Sequence, residues 1–257
     1  MSTTIAIAIY DTEENDRTKY TQETLLSLYD TVDWTKHRLW LIDNNSCIAT
    51  KKLISGAVKS MPNCESITLP ENIGTARAIN LAMARRSPGD VLIKMDNDVV
   101  VHESGWVEKM EEVFRLDPTI GICGLKRTDV WQNPYHADPK YRTTMESLSD
   151  SVEIEICEDI MGTCTAFNPL LMKSINYMNQ LSVYGFDDVL YSVRSVAAGF
   201  RNCFLPSISI THLDDGKSDY SEWKRRHAGE NISEIGIMCD MYKSGKISPY
   251  YGGDFNA

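Results

Sequence analysis

The sequence predicts a doubly wound α/β fold, a mixed sheet with helices on both faces. Three observations carry this. Short apolar runs at 4–10 (TIAIAIY), 38–42 (RLWLI), 66–69 (SITL) and 91–95 (VLIKM) are separated by segments of helical period, giving the order β-α-β-α-β-α-β. The run from 91 is apolar on both faces, as a buried strand of a covered parallel sheet is. Asp- and Asn-rich stretches follow the run ends, and in open α/β sheets ligands collect beyond the carboxyl ends of the strands.

Taken in order, the first strand stops at the polar cluster 11–19, and Leu25, Leu28, Tyr29 and Val32 then recur at helical spacing. The second strand ends in Asp43-Asn44-Asn45-Ser46, and a helix at about 50–58 leads to the short third strand. Residues 71–75 open a helix that runs to Arg85, with Ile79 and Met83 on one face, and Pro88-Gly89-Asp90 turns the chain into the fourth strand. Val107, Met110 and Phe114 mark another helix, and 120–125 a short strand. Residues 128–149, polar and carrying Pro134 and Pro139, read as a long loop, and long loops in compact domains are often functional. A strand is expected at 153–156. The small apolar stretch 161–167 suits a place where backbone approaches a ligand. Residues 184–188 precede a helix that stops near Gly199. Ile208 and Ile210 alternate with serines on a strand that delivers His212. A helix is expected around 220–226, then a mobile Gly- and Tyr-containing tail.

A length of 257 residues and 42% hydrophobic content suit one large domain with a real core. The net charge of −10 argues against general affinity for nucleic acid or anionic membrane, both polyanions. Seven scattered cysteines without a C-x-x-C pair point to reduced thiols in a cytoplasmic protein. No stretch approaches transmembrane length, and no signal-like run opens the chain. The glycines match neither G-x-G-x-x-G nor G-x-x-x-x-G-K-[ST], so a dinucleotide fingerprint or P-loop is unsupported.

The chemistry concentrates in Asp96-Asn97-Asp98. On a continuing strand, residues two apart project the same way, so the two carboxylates are expected to converge. Like charges that close need a cation or hydrogen bonds, and magnesium or manganese is the simplest answer for carboxylate oxygen. The plain alternative is a solvated turn, where Asp and Asn are the usual residues.

Together the stretches LIDNNS (41–46), ENIGTARAIN (71–80), MDNDV (95–99), MGTCTAF (161–167) and GFDDVLYSVR (185–194) resemble, in order and spacing, the motifs of the inverting GT-A glycosyltransferases of family two. The likeness covers about 3–213. It implies a GT-A domain over 1–215, with a nucleotide-sugar half to about 100 and an acceptor half beyond, followed by a C-terminal extension. Departures are Asp187 for the usual glutamate of the E-D pair, Leu190 at a later acidic position, Lys94 inside the strand before D-N-D, and Tyr10-Asp11 for Tyr-Asn.

The resemblance implies transfer of a sugar from a nucleoside-diphosphate sugar, UDP-linked by first choice, to a hydroxyl of a carbohydrate or other acceptor, with manganese or magnesium as cofactor. It assigns Asp98 to the metal, Asp96 to the ribose or the metal's water shell, and His212 as a further ligand. Asp43 falls to the base, where an Asx turn can coexist with it. Gly74 and Arg77 fall to the nucleotide and its phosphates, and Tyr10, Asp11 and Asn97 near it. Asp188 is the candidate general base, with Asp187 the alternative and one of the two expected as a helix cap. Trp131, Tyr135 and Tyr141 could stack on an acceptor sugar or simply pack. The cluster 224–227 (KRRH) could touch an anionic acceptor or be a solvated helix face. Two other readings are a binding module without catalysis, and a nucleotidyltransferase. The latter would carry a glycine-rich basic loop after the first strand, where this chain has the acidic 11–14 (DTEE).

Overall fold

The structure, a computed structural model, describes residues 2–128, 143–214 and 219–250. Trp131, Tyr135 and Tyr141, and the tail from 251, lie outside the described residues.

The first half follows the expected alternation. Strand β1 (Thr3–Ile9) leads to α1 (Thr18–Thr31), β2 (Arg38–Asp43), α2 (Ile48–Ser60), β3 (Cys64–Thr68), α3 (Thr75–Arg85) and β4 (Val91–Met95). These strands pair in parallel in the order β3-β2-β1-β4. Alternation along them feeds two cores. Ile5, Ile7 and Ile9 with Val91, Ile93 and Met95 pack beneath α1 and α2, while Ala6 and Leu92 face α3. Alanines at 76, 78 and 82 let α3 lie close to the sheet, and all three are buried.

After β4 come β5 (Val99–Val101), α4 (Trp106–Leu116), β6 (Ile120–Arg127), β7 (Thr144–Ser149), β8 (Val152–Ile156), β9 (Cys164–Phe167), α5 (Pro169–Ile175), α6 (Asp187–Ala197), β10 (Arg201–His212) and α7 (Asp219–Lys243). Strand β9 lies antiparallel between β4 and β6, and β10 is parallel to β6, so the sheet is mixed as expected. Two expectations are corrected. Residues 144–149 are not loop but the edge strand β7, made by pairing with β8. The C-terminal helix is not confined to 220–226 but runs to Lys243, because Ile235 and Tyr242 bury against Leu190 and Val193 of α6. No helix among the described residues is long and apolar enough to cross a membrane.

Arg194 on α6 fastens this region. Its buried guanidinium donates to the carbonyls of Tyr177 (2.7 Å), Ile175 and Pro249 and to Asn179 Oδ1 (2.7 Å). Arg194→Ala removes charge-assisted bonds and strands buried carbonyls. Urea unfolding is expected to show a loss of about 3–5 kcal/mol.

Candidate active site

A cleft of about 570 Å³ opens at the carboxyl ends of β1 and β4. Tyr10, Asn44, Asn72 and Thr75 line one part of it, Lys94, Asp96 and Asp98 another. Residues 183–189 with Trp223, Lys224 and Ala228 of α7 complete the wall. The C-terminal helix therefore belongs to the site.

Topology brings Asp98 and His212 together. Short β5 pairs antiparallel with the end of β10, His212 opposite Val99, and Leu213 N–H donates to the Asp98 carbonyl at 2.8 Å. His212 Nδ1 lies 2.9 Å from the Asp214 carbonyl oxygen, which can only accept, so Nδ1 carries a proton. That leaves Nε2 facing Asp98 Oδ2 at 3.3 Å. A ring nitrogen and a carboxylate oxygen so placed need a cation between them, either a proton or a metal ion. Asp98 Oδ1 is buried without a hydrogen-bond partner. Among the described residues no three His, Cys, Asp or Glu side chains form a ready-made cage. The chain thus offers one oxygen and one nitrogen ligand and leaves the remaining positions to a bound ligand and water, a donor set that manganese or magnesium accepts.

Arg17, at the start of α1, pairs with Asp98 through Nη2 and with Asp214 at 2.9 Å through Nη1, and Lys224 reaches Asp214 at 3.1 Å. Burial pushes the Asp98 carboxyl up, but the opposing charges of His212, Arg17 and Lys224 outweigh it and hold it below the usual carboxylate range.

Asp96 and Asp98 line the same cleft, but not as alternate residues of one strand. Strand β4 ends at Met95, and 96–98 form a turn that sets the two side chains separately. Asp96 is paired with Lys94 Nζ at 2.6 Å and remains about one-third exposed. The expected repulsion between the two aspartates is offset by two buried side-chain cations, Lys94 and Arg17.

Lys94 is the hub of the acidic end. Its ammonium also bonds the Gly162 carbonyl, and the charges of Asp96, Asp187 and Asp188 overcome burial and raise its pKa. Asp188 Oδ2 accepts the Gly162 N–H at 2.8 Å, and Oδ1 accepts the Val189 N–H at 2.9 Å. A Cβ on Gly162 would lie 2.9 Å from Asp188 Cβ, so this small residue makes room for Asp188. Asp187 Oδ2 is buried and unpartnered. Burial pushes the Asp187 carboxyl up to about 6, against the pull of Lys94, with the Asp188 charge adding to the rise. Gly185 (φ 106) and Phe186 (φ 62) are both left-handed, which turns the chain into α6 and presents the aspartate pair at the helix start.

The nucleotide-side expectations divide. Tyr10 lines the cleft. Asp11 does not reach it: its side chain is buried and accepts from Thr21 (2.6 Å), Thr50 (3.1 Å) and Asn97 (2.8 Å). Asn97 lines the cleft but spends its amide on Asp11 and Thr21, so this pair braces the turn carrying Asp96 and Asp98. Asp43 is buried and does not line the cleft: its Oδ1 accepts the Ser46 N–H (2.7 Å), three residues on and not the two of an Asx turn, and its Oδ2 is buried without a partner. Gly74 (φ 90) lies under the Gln180 side chain, and Gln180 Oε1 accepts the backbone N–H of Arg77; neither Gly74 nor Arg77 is among the residues that line the cleft. Asn44 takes that place by clamping the loop before α3, donating to the Gly74 carbonyl and accepting from Ile73 N–H, both at 3.1 Å.

Sequence reading missed Arg17, Asn44, Asp214, Tyr184 and Trp223. Arg17 sits in an ordinary polar cluster, and the others owe their positions to long-range contacts that no local spacing reports. Lys94 was visible only as a charge out of place in an apolar strand.

Comparison with known proteins bears on the same residues. The profile of glycosyl transferase family 2 matches residues 4–174, from β1 to α5. An N-acetylglucosaminyltransferase of Rhizobium sp. (strain N33) is 26% identical over 180 residues, covering 65% of this chain and 39% of that protein. The mannosyltransferase PcManGT from Pyrobaculum calidifontis, in complex with GDP-Man and Mn2+, superposes with a TM-score of 0.70 at 16% identity, covering 96% of this chain and 64% of that one. TarS of S. aureus in complex with UDP-GlcNAc gives 0.66 at 13% identity, covering 93% and 66%. This chain thus spans well under half of the Rhizobium relative and about two-thirds of each solved neighbour. A GT-A sheet that carries the D-N-D turn at the end of β4, within a family match over most of the chain, identifies this protein as a member of glycosyl transferase family 2.

Proposed function

We propose that the protein is a metal-dependent, inverting glycosyltransferase that moves a sugar from a UDP-sugar to an acceptor hydroxyl. The observation that carries this is the pairing of Asp98 and His212 across β5 and β10, in the same cleft as the Asp187–Asp188 pair. Metal ligands and a base on separate elements are what an in-line displacement requires.

Asp98 and His212 would hold manganese or magnesium, which neutralises the charge developing on the leaving diphosphate. Arg17, already compensating Asp98, adds fixed positive charge at that end. Asp96, anchored by Lys94 and partly exposed, meets the ribose hydroxyls. Tyr10, Asn72 and Thr75 border the nucleoside; Asp43 lies buried behind this lining, and pairing of its unpartnered Oδ2 with an N–H of the base requires that wall to part. Asp188, oriented by two backbone N–H groups, takes the acceptor proton, and its neighbour Asp187 is the other candidate.

A thermal-shift titration with manganese and nucleoside diphosphates tests the donor. UDP is expected to raise the melting temperature, and Asp43→Ala to weaken the UDP affinity read from the titration by about tenfold, one charge-assisted hydrogen bond. Uracil presents an imide N–H and guanine a lactam N–H, and a carboxylate accepts either, so protection by GDP and not UDP would replace the base and leave the fold reading standing. Protection by neither would remove the transferase reading.

A further inference from the structure

The wall built by α7 holds a feature that the family match does not reach, since that match ends at 174. Tyr184 and Trp223 stand together in the cleft lining, ring centroids 5.9 Å apart and planes at 58°. Both are half-buried, so each ring keeps accessible surface. Trp223 is backed by His227, centroids 4.1 Å apart and planes at 30°, one turn along the helix. The helix is seated on the 184–186 loop at Gly185, where an added Cβ would meet Ala228 at 3.1 Å. Lys224 lies over the Tyr184 ring at 5.8 Å and reaches Asp214. The pair of rings is therefore set by packing from two elements.

We propose that Tyr184 and Trp223 form the acceptor subsite and that the acceptor is a pyranose sugar. The inference rests on the transferase reading of the same cleft. A base must lie within about 3 Å of the hydroxyl that it deprotonates. The acceptor therefore binds beside Asp187 and Asp188, and the rings share the contiguous wall 183–189 with those carboxylates. The nucleoside end, with Tyr10, Asn44, Asn72 and Thr75, is drawn from different elements. An aromatic face packs against the C–H face of a pyranose ring and leaves its hydroxyls free for hydrogen bonds. The surroundings of the rings are charged, with Lys224, Asp187 and Asp188, which suits a polyhydroxylated ring and disfavours an acyl chain.

Saturation-transfer NMR of the full chain with UDP and manganese, against methyl pyranosides of common hexoses and N-acetylhexosamines, tests this. At least one pyranoside should bind, with the strongest transfer to C–H protons of one ring face. Trp223→Ala should weaken that sugar about tenfold or more, and Trp223→Phe should restore most of it. Calorimetry should show the sugar weakened and not the UDP. Failure of every pyranoside to bind a protein that does bind UDP would overturn the subsite alone. So would sugar binding untouched by Trp223→Ala, or a loss that falls equally on UDP in both variants. Absence of both UDP and GDP binding in the unmodified protein would remove the transferase reading, and this inference with it.

Discussion

Asp188→Asn is expected to cut turnover by about 10²- to 10⁴-fold, the usual worth of a general base, while nucleotide binding holds. The change removes the charge and proton affinity but keeps the size of the side chain. The amide oxygen can still accept the Gly162 N–H that Asp188 Oδ2 now accepts at 2.8 Å, at the loss of the Val189 N–H bond at the helix start, so the floor of the cleft should stay in place. Steady-state rates with a saturating donor, set beside UDP affinity by calorimetry, separate the two effects. Asp187→Asn is the control. Asp187 has a buried oxygen without a partner and a carboxyl pushed up to about 6 by burial, so neutralising it removes a strained charge. Its expected rate loss is smaller, with some gain in stability. If the large loss falls on Asp187 instead, the pair is right and the assignment within it is reversed. NMR of the product should show inverted anomeric configuration, and retention would overturn the single-displacement reading.

Asp98→Asn should lose metal-linked nucleotide binding, and turnover should fall by about 10²- to 10³-fold, comparable to removal of a main electrostatic stabiliser. Asparagine keeps an acceptor oxygen for Arg17 while removing the charge that a divalent ion needs. The more drastic Asp98→Ala would break the buried pair with the Arg17 guanidinium while leaving its pair with Asp214, and breaking a buried pair costs about 3–5 kcal/mol. Loss of activity in Asp98→Ala could therefore reflect unfolding, and the Asn variant avoids that ambiguity. Calorimetry with UDP should show an affinity rise on adding manganese in the unmodified protein and little rise in Asp98→Asn. Excess chelator should abolish transfer, with manganese restoring it. Full transfer in chelator would remove the metal role.

The order of elements through β4 was legible in the sequence because it is written in local terms. Apolar runs such as 4–10 and 91–95 alternate with helical periods, and one residue's neighbours in sequence largely decide its face. The aspartates at the ends of β2 and β4, the glycine-containing stretch 161–167 and the Asp187–Asp188 helix start were legible for the same reason. Local pattern also misled. Period-two reasoning held Asp96 and Asp98 on one strand, whereas β4 stops at Met95 and each carboxylate found its own buried cation. The edge strand β7 was invisible because its residues are mostly polar, and only pairing with β8 makes them a strand.

The sequence by itself determined the doubly wound half, the D-N-D motif and the family. Tertiary structure alone decided which charges meet. Asp98 faces His212 because β5 and β10 pair in one register, Arg17 joins them from the start of α1, and Lys94 is enclosed by carboxylates from two elements. It also decided that α7, with little periodicity of its own, buries Ile235 and Tyr242 on α6 and so brings Trp223 and Lys224 to the cleft. Electrostatic pairing and helix docking depend on distances between residues far apart in the chain, and no local spacing encodes those distances.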